Sequence, residues 1–220
     1  MGWIICITED VSMTYATNRG VIDGGGARVD DQLERVLKTL VPGGDGRSWY
    51  VFRTRSRREK KAAEQFAVMG LSHCLPVRKQ VRRRKGRRHS SILPLFPGYV
   101  FGCCDSGERL TAMRGGHLVQ WLEVKDQEML LSELRNICIA NLRGTGVELF
   151  PQIRRGKWVR VVSGPLAGVR GRISRRKEGY RIVLEMTALQ SAVAVELDMQ
   201  DVEIDDRAVL DEDGRLAATG

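Results

Sequence analysis

Leu93-Pro94-Leu95-Phe96-Pro97-Gly98-Tyr99-Val100-Phe101 is an apolar run interrupted by two prolines and a glycine. Proline lacks the amide donor and clashes with a preceding turn, so this run is not a helix interior. Pro97-Gly98 predicts a bend or bulge, and Tyr99-Val100-Phe101 is rich in strand formers. Two readings follow. The run is a buried central strand, or, because prolines belong at edges and bulges, its aromatics line a surface groove for another protein's helix.

Working outward, two segments of the chain are basic, one directly before this stretch and one well downstream of it. Residues 47–92 hold fifteen Lys and Arg against two acids, and residues 152–186 hold ten against two. From residue 187 onward the balance reverses, with nine acids and two bases, so the formal charge of +9 is strongly segregated. Segregation of this kind predicts polyanion contact through two separate faces. The 220-residue chain, 42% hydrophobic and 29% charged, has the composition of one large or two small globular domains. No apolar run approaches the roughly 20 residues that span a bilayer. The start lacks a basic leader and reaches Glu9-Asp10 early, which predicts a cytoplasmic protein without membrane attachment. The five cysteines form no CxxC pair and no zinc-like spacing with the three histidines, so thiols and no metal are expected. Cys103 and Cys104, neighbours in a predicted strand, should face opposite sides of it.

Residues 1–46 are glycine-rich, with one helical pattern at Leu33, Val36, Leu37 and Leu40, and read as a flexible extension. Order is expected from Ser48-Trp49-Tyr50-Val51-Phe52-Arg53-Thr54, an aromatic strand. Ser56-Arg57-Arg58-Glu59 matches a capping box opening a helix that buries Ala62, Ala63 and Phe66 and stops at Gly70. A second strand runs into Arg78 to Arg88, eight bases without an acid, where a long hairpin turns at Gly86. A short helix near residues 108–114, a strand at 118–124 and a helix after Asp126 complete a β-α-β-β-α-β-α order. That order predicts a compact α+β domain, a sheet with flanking helices, over residues 47–144. After a linker at 145–152, short strands separated by glycine turns predict a small β-barrel over 153–204, followed by an acidic flexible tail at 205–220.

Gly156-Lys157-Trp158-Val159-Arg160-Val161-Val162-Ser163-Gly164-Pro165-Leu166-Ala167-Gly168 and the residues through Ile173 resemble a KOW motif. Ser48-Trp49-Tyr50-Val51 and Leu95 to Phe101 resemble the N-terminal (NGN) domain of the bacterial NusG family. KOW alone also occurs in ribosomal proteins, whereas the ordered combination is specific and spans residues 48 to about 204. Pro94-Leu95-Phe96-Pro97 and Met113 to Val119 are closer to the specialised RfaH-like branch of the family. Gly107-Glu108-Arg109 departs from the His-Thr-Thr run with which that branch meets the polymerase gate loop.

The resemblance implies a ferredoxin-like NGN domain followed by an SH3-like KOW barrel, in a monomeric transcription elongation factor that suppresses or promotes termination. It implies no catalytic residue, no cofactor and no metal. The expected partner is RNA polymerase, through the clamp helices of its largest subunit, with Phe96, Tyr99, Phe101, Phe52 and Leu95 lining the groove. Non-template DNA or nascent RNA is expected at Arg55, Lys61 and Arg114, with sequence-independent phosphate attraction at Arg83, Arg84, Arg87 and Arg88. The barrel's expected partner is the ribosome or a termination factor. The competing reading is a KOW-containing RNA-binding or ribosome-associated protein, which suits the charge but leaves the aromatic bend without a role.

Overall fold

A computed structural model of the chain describes residues 4–7, 29–84, 87–143, 147–150, 157–176, 179–197 and 199–205. Within the first part, strands β1 (Ile4–Ile7), β2 (Ser48–Thr54), β3 (His73–Arg84), β5 (Tyr99–Cys104) and β6 (Leu118–Glu123) form one antiparallel sheet in the order β1-β3-β5-β2-β6. The outer half of β3 leaves that sheet and pairs residue for residue with β4 (Arg87–Pro94), from Val77↔Pro94 to Arg84↔Arg87. This is the long basic hairpin expected from the charge run. Helices α2 (Glu59–Val68) and α3 (Ser106–Arg114) cover one face, where Phe52, Phe66, Ala62, Ala112 and Leu118 pack together. Helices α1 (Val29–Thr39) and α4 (Gln127–Arg143) serve the other, over Trp49, Val51 and Phe101. Strand alternation puts Cys103 in the second of these cores and Cys104 in the first, as expected of neighbours on a pleated strand.

The expectation of a flexible extension over residues 1–46 is corrected where those residues are described. Ile4–Ile7 pairs with Ile7↔His73 and Cys6↔Cys74 as an added edge strand. Helix α1 and the residue after it bury Leu33, Val36 and Leu40 against α4, because their spacing of three and four residues matches a stripe α4 would otherwise leave wet. Residues 8–28 lie outside the described residues.

The second part is entirely strands and short 3-10 turns: β7 (Val147–Phe150), β8 (Trp158–Val161), β9 (Arg170–Arg176), β10 (Gly179–Met186), β11 (Ser191–Leu197) and β12 (Val202–Ile204). They pair antiparallel in the order β12-β8-β9-β10-β11-β7. The expected barrel is thus an all-β sheet, and no pairing closes β12 onto β7 among the described residues. Four residues of the expected linker are not linker at all, since β7 is a strand of this sheet. Gly171 is required there: a Cβ on it would lie 2.6 Å from the Val183 carbonyl oxygen. The acidic tail from residue 206 lies outside the described residues.

The two parts touch through α4. Glu133, half-buried on that helix, accepts a 2.9 Å bond from the Thr187 amide and a second, short bond from the Thr187 hydroxyl, at the 3-10 turn after β10. Met186 and Leu189 join the same apolar cluster as Leu134 and Ile137. Burial pushes the Glu133 carboxyl up to about 7, against the two Thr187 bonds, which pull it down; Glu185 and Asp126 add to the rise.

Two outcomes follow from these contacts. Leu40→Ala should lower stability by on the order of 2–5 kcal/mol, the usual cost of truncating a buried leucine, measured by denaturant unfolding of the full chain. An extension that contributed nothing would leave the midpoint unmoved. Second, a carboxyl whose folded pKa is raised holds a proton that the unfolded chain has already lost. Its contribution is therefore full below the ordinary carboxylate range and disappears as pH rises through about 7. Melting temperature should fall between about pH 5 and about pH 8 more steeply in the native protein than in Glu133→Gln, which cannot titrate.

Candidate functional site

The bend in the opening stretch is held by a buried acid. Gly98 has φ +86°, a conformation glycine adopts without strain, and its amide donates to Glu59 Oε1 at 2.7 Å. The Ser56–Glu59 capping box is therefore corrected: Arg58 is the N-cap, no side chain caps it, and the Glu59 carboxylate turns to Gly98 instead. The reciprocal capping box belongs to α3, where Asp105 accepts from the Glu108 amide at 2.8 Å and Glu108 accepts from the Asp105 amide at 2.9 Å. Its signature, Asp105-Ser106-Gly107-Glu108, was available in the sequence.

Glu59 thereby ties the Pro97-Gly98 bend to the turn that follows β2. On β2 and this turn Arg53, Arg55, Arg57 and Arg58 are all exposed, and Arg57 sits at φ +59°. A non-glycine residue in the left-handed region is strained, and strain of this kind gathers at functional turns. The Arg55 amide donates to the His117 carbonyl at 2.9 Å, which brings this turn beside the loop after Arg114. Gln65 Nε2 donates to the Ala112 carbonyl at 2.9 Å, clamping α2 against α3. Arg55, Lys61 and Arg114, expected as nucleic-acid contacts, are in this way gathered at one end of the sheet, and all three are exposed. Lys61 also pairs with Glu64 at 2.7 Å, a surface ion pair of little energetic weight.

The expected groove looks different. Phe52 and Phe101 are fully buried, Leu95 is 1% exposed and Phe96 3%. Phe96 and Phe101 meet edge to face at 6.2 Å beneath the bend. These four are corrected from groove anchors to core residues: α1 and α4 complete the apolar layer over Leu95, Phe96 and Phe101, and α2 and α3 cover Phe52 on the opposite face of the sheet. Tyr99 alone of the five is half-buried, opposite Arg53 in the strand register. Arg83, Arg84, Arg87 and Arg88 occupy facing positions near the hairpin end, as Arg83↔Arg88 and Arg84↔Arg87. Their side chains lie outside the described residues.

His73 sits in the core with Nδ1–H donating to the Leu71 carbonyl at 2.8 Å, and burial keeps its pKa below the ordinary value. Among the described residues no three His, Cys, Asp or Glu side chains could hold a metal ion, and no helix is long and apolar enough to cross a membrane. One feature had no signal in the sequence analysis. The Arg109 guanidinium lies between two rings, 4.6 Å from the Tyr50 centroid and 5.0 Å from that of Trp121. Only the i, j±2 diagonal of paired strands could have suggested it.

Compared with known protein families, residues 47–131 match the family NusG, described as transcription termination factor nusG. A search of curated proteins finds no match.

Glu59→Ala should free the Gly98 amide and cost about 1.5–3 kcal/mol, the range for a hydrogen bond to a charged group. Glu59→Gln, which keeps an acceptor oxygen, should lose less. Amide exchange at Gly98 reports the bond directly, and unchanged protection in the alanine variant would show that the bend stands without it.

Proposed function

With a NusG-family domain spanning residues 47–131, we propose that the protein is a non-catalytic transcription factor that binds RNA polymerase and nucleic acid to regulate elongation and termination. The observation that carries this reading is the convergence at one end of the sheet. Tyr99 on the bend and the exposed Arg53, Arg55, Arg57 and Arg58 on the adjoining turn are joined by the Glu59–Gly98 bond. A half-exposed aromatic paired in register with Arg53 and close to a basic turn suits a protein helix on one side and a phosphate chain on the other.

Tyr99 then makes the direct contact with the polymerase clamp helices, while Leu95, Phe96 and Phe101 form the floor that holds its ring in place and Phe52 packs behind them on the other face of the sheet. Arg55 and Arg114 reach the displaced DNA strand, with Lys61 at the margin. The basic β3–β4 hairpin extends the positive surface along the same polyanion. The likeness of Pro94–Pro97 and Met113–Val119 to the RfaH-like branch favours a specialised regulator that acts in the cytoplasm as a monomer. Its second, KOW-like part would engage a ribosomal or termination partner.

Pull-down of the polymerase by the full chain, with ribosomes as competitor, separates this reading from a ribosome-associated one. Tyr99→Ala should weaken clamp-helix binding by about tenfold or more, since truncated aromatic anchors commonly cost about 2 kcal/mol. Its melting temperature should be nearly unchanged. Replacing Arg83, Arg84, Arg87 and Arg88 together by Ala should flatten the dependence of nucleic-acid affinity on salt, because the slope scales with phosphates neutralised. Retention on ribosomes and none on polymerase would overturn the proposal.

A further inference from the structure

Tyr50 and Trp121 lie on the same face of neighbouring strands β2 and β6, offset along the register, with Phe52↔Trp121 and Tyr50↔Glu123 as the paired positions. Such diagonal neighbours stand roughly 7–8 Å apart, room enough for one planar group between them. Arg109 of α3 fills the gap with its guanidinium. The acids nearest it in sequence are committed elsewhere. Glu108 holds Arg47 at 2.6 Å and closes the capping box, and Asp105 accepts from the Glu108 amide. Arg109 Nε is buried and has no hydrogen-bond partner in the structure. A cation is thus held in place by two rings, and among the described residues no carboxylate pairs with it.

The ladder Tyr50–Arg109–Trp121 ends at an open rung. Trp121 is 39% exposed, on a strand that pairs only with β2 among the described residues, and Val119, two residues before it on the same face, is 52% exposed. We infer that the outer face of Trp121 is a stacking platform for an unpaired base of single-stranded nucleic acid. The inference rests on the nucleic-acid reading above and adds a site to it. An indole backed by a guanidinium offers a flat apolar face for the base and a positive field for its phosphate. Arg114 lies about 7.5 Å further along α3 and, with Arg55, continues the positive track. Glu123 makes the opposite end of β6 acidic, so the strand should run from Trp121 toward Arg114. A base within a duplex has both faces covered and cannot take the rung.

The test uses the full chain, a labelled single-stranded oligothymidylate and the same sequence as a duplex. Trp121→Ala should weaken single-strand binding roughly tenfold or more, the usual loss for a removed base–aromatic stack, with its salt slope and duplex affinity unchanged. Arg114→Ala should reduce the salt slope instead. Tryptophan fluorescence should be quenched by the single strand in the native protein, and that quench should be absent in Trp121→Phe. The phenylalanine variant also decides the matter should the alanine variant fail to fold. Single-strand binding that survives Trp121→Ala at full strength, with the quench retained in Trp121→Phe, would overturn the platform while leaving the basic turn as the binding site. Loss of polymerase binding with single-strand binding intact would overturn it in favour of a protein-docking face. A native chain that binds no single strand would remove the nucleic-acid reading itself.

Discussion

Trp49 is bonded at three atoms to two different segments, and the first domain hangs together around it. Its amide donates to Gln127 Oε1 at 2.7 Å, its carbonyl accepts from Gln127 Nε2 at 3.0 Å, and its indole Nε1–H donates to the Val41 carbonyl at 2.8 Å. Arg135 of α4 donates to the neighbouring Leu40 carbonyl at 2.9 Å. A buried indole with its N–H unmet would be costly, so the ring fixes where the segment after α1 must run. Strand β2, the segment after helix α1 and helix α4 are thereby one unit. Because α4 also carries Glu133 and the apolar contacts to Met186 and Leu189, the position of the second part depends on the same ring.

Much of the fold was legible because local signals agreed with tertiary context. The aromatic run at residues 48–54, the Ala62-Ala63-Phe66 stripe and the charge run through Arg88 each specify one element without help from a partner. The valine-rich strands of the second part do likewise. The N-terminal segment was misread for a physical reason. Its glycines say nothing about docking, and the stripe at Leu33, Val36 and Leu40 acquires meaning only once α4 presents a matching face. β1 was equally invisible, since an edge strand needs a template and β3 supplies it.

The site shows a sharper division between what residue types imply and what their surroundings impose. Pro97-Gly98 was legible as a bend, but its clamp was not: Glu59 looked like a capping acid and instead crosses to another segment. Both uses satisfy an orphan amide, and only three-dimensional proximity tells them apart. The aromatics around the bend were assigned to a groove, yet a six-strand layout with helices on both faces leaves no room for Phe96 and Phe101 except the interior. Exposure was left to Tyr99, at the turn, and to Trp121, on the sheet's margin. Being aromatic does not by itself separate the exposed pair from the buried one; position in the sheet does.

Cys103 and Cys104, one on each face of β5, have thiols pushed up by burial to about 11 and about 12. Cys74 and Cys138 bring their sulfurs to 3.9 Å between β3 and α4. A thiol reacts as thiolate, so in the closed domain these positions are chemically silent toward alkylating reagents. Every opening that wets one face of β5 exposes one of its cysteines and not the other. The pair is consequently a two-channel recorder of local unfolding, in which Cys103 follows release of the α1–α4 layer and Cys104 release of the α2–α3 layer. Two labelling rates on adjacent residues would rank the two layers by stability without any introduced probe.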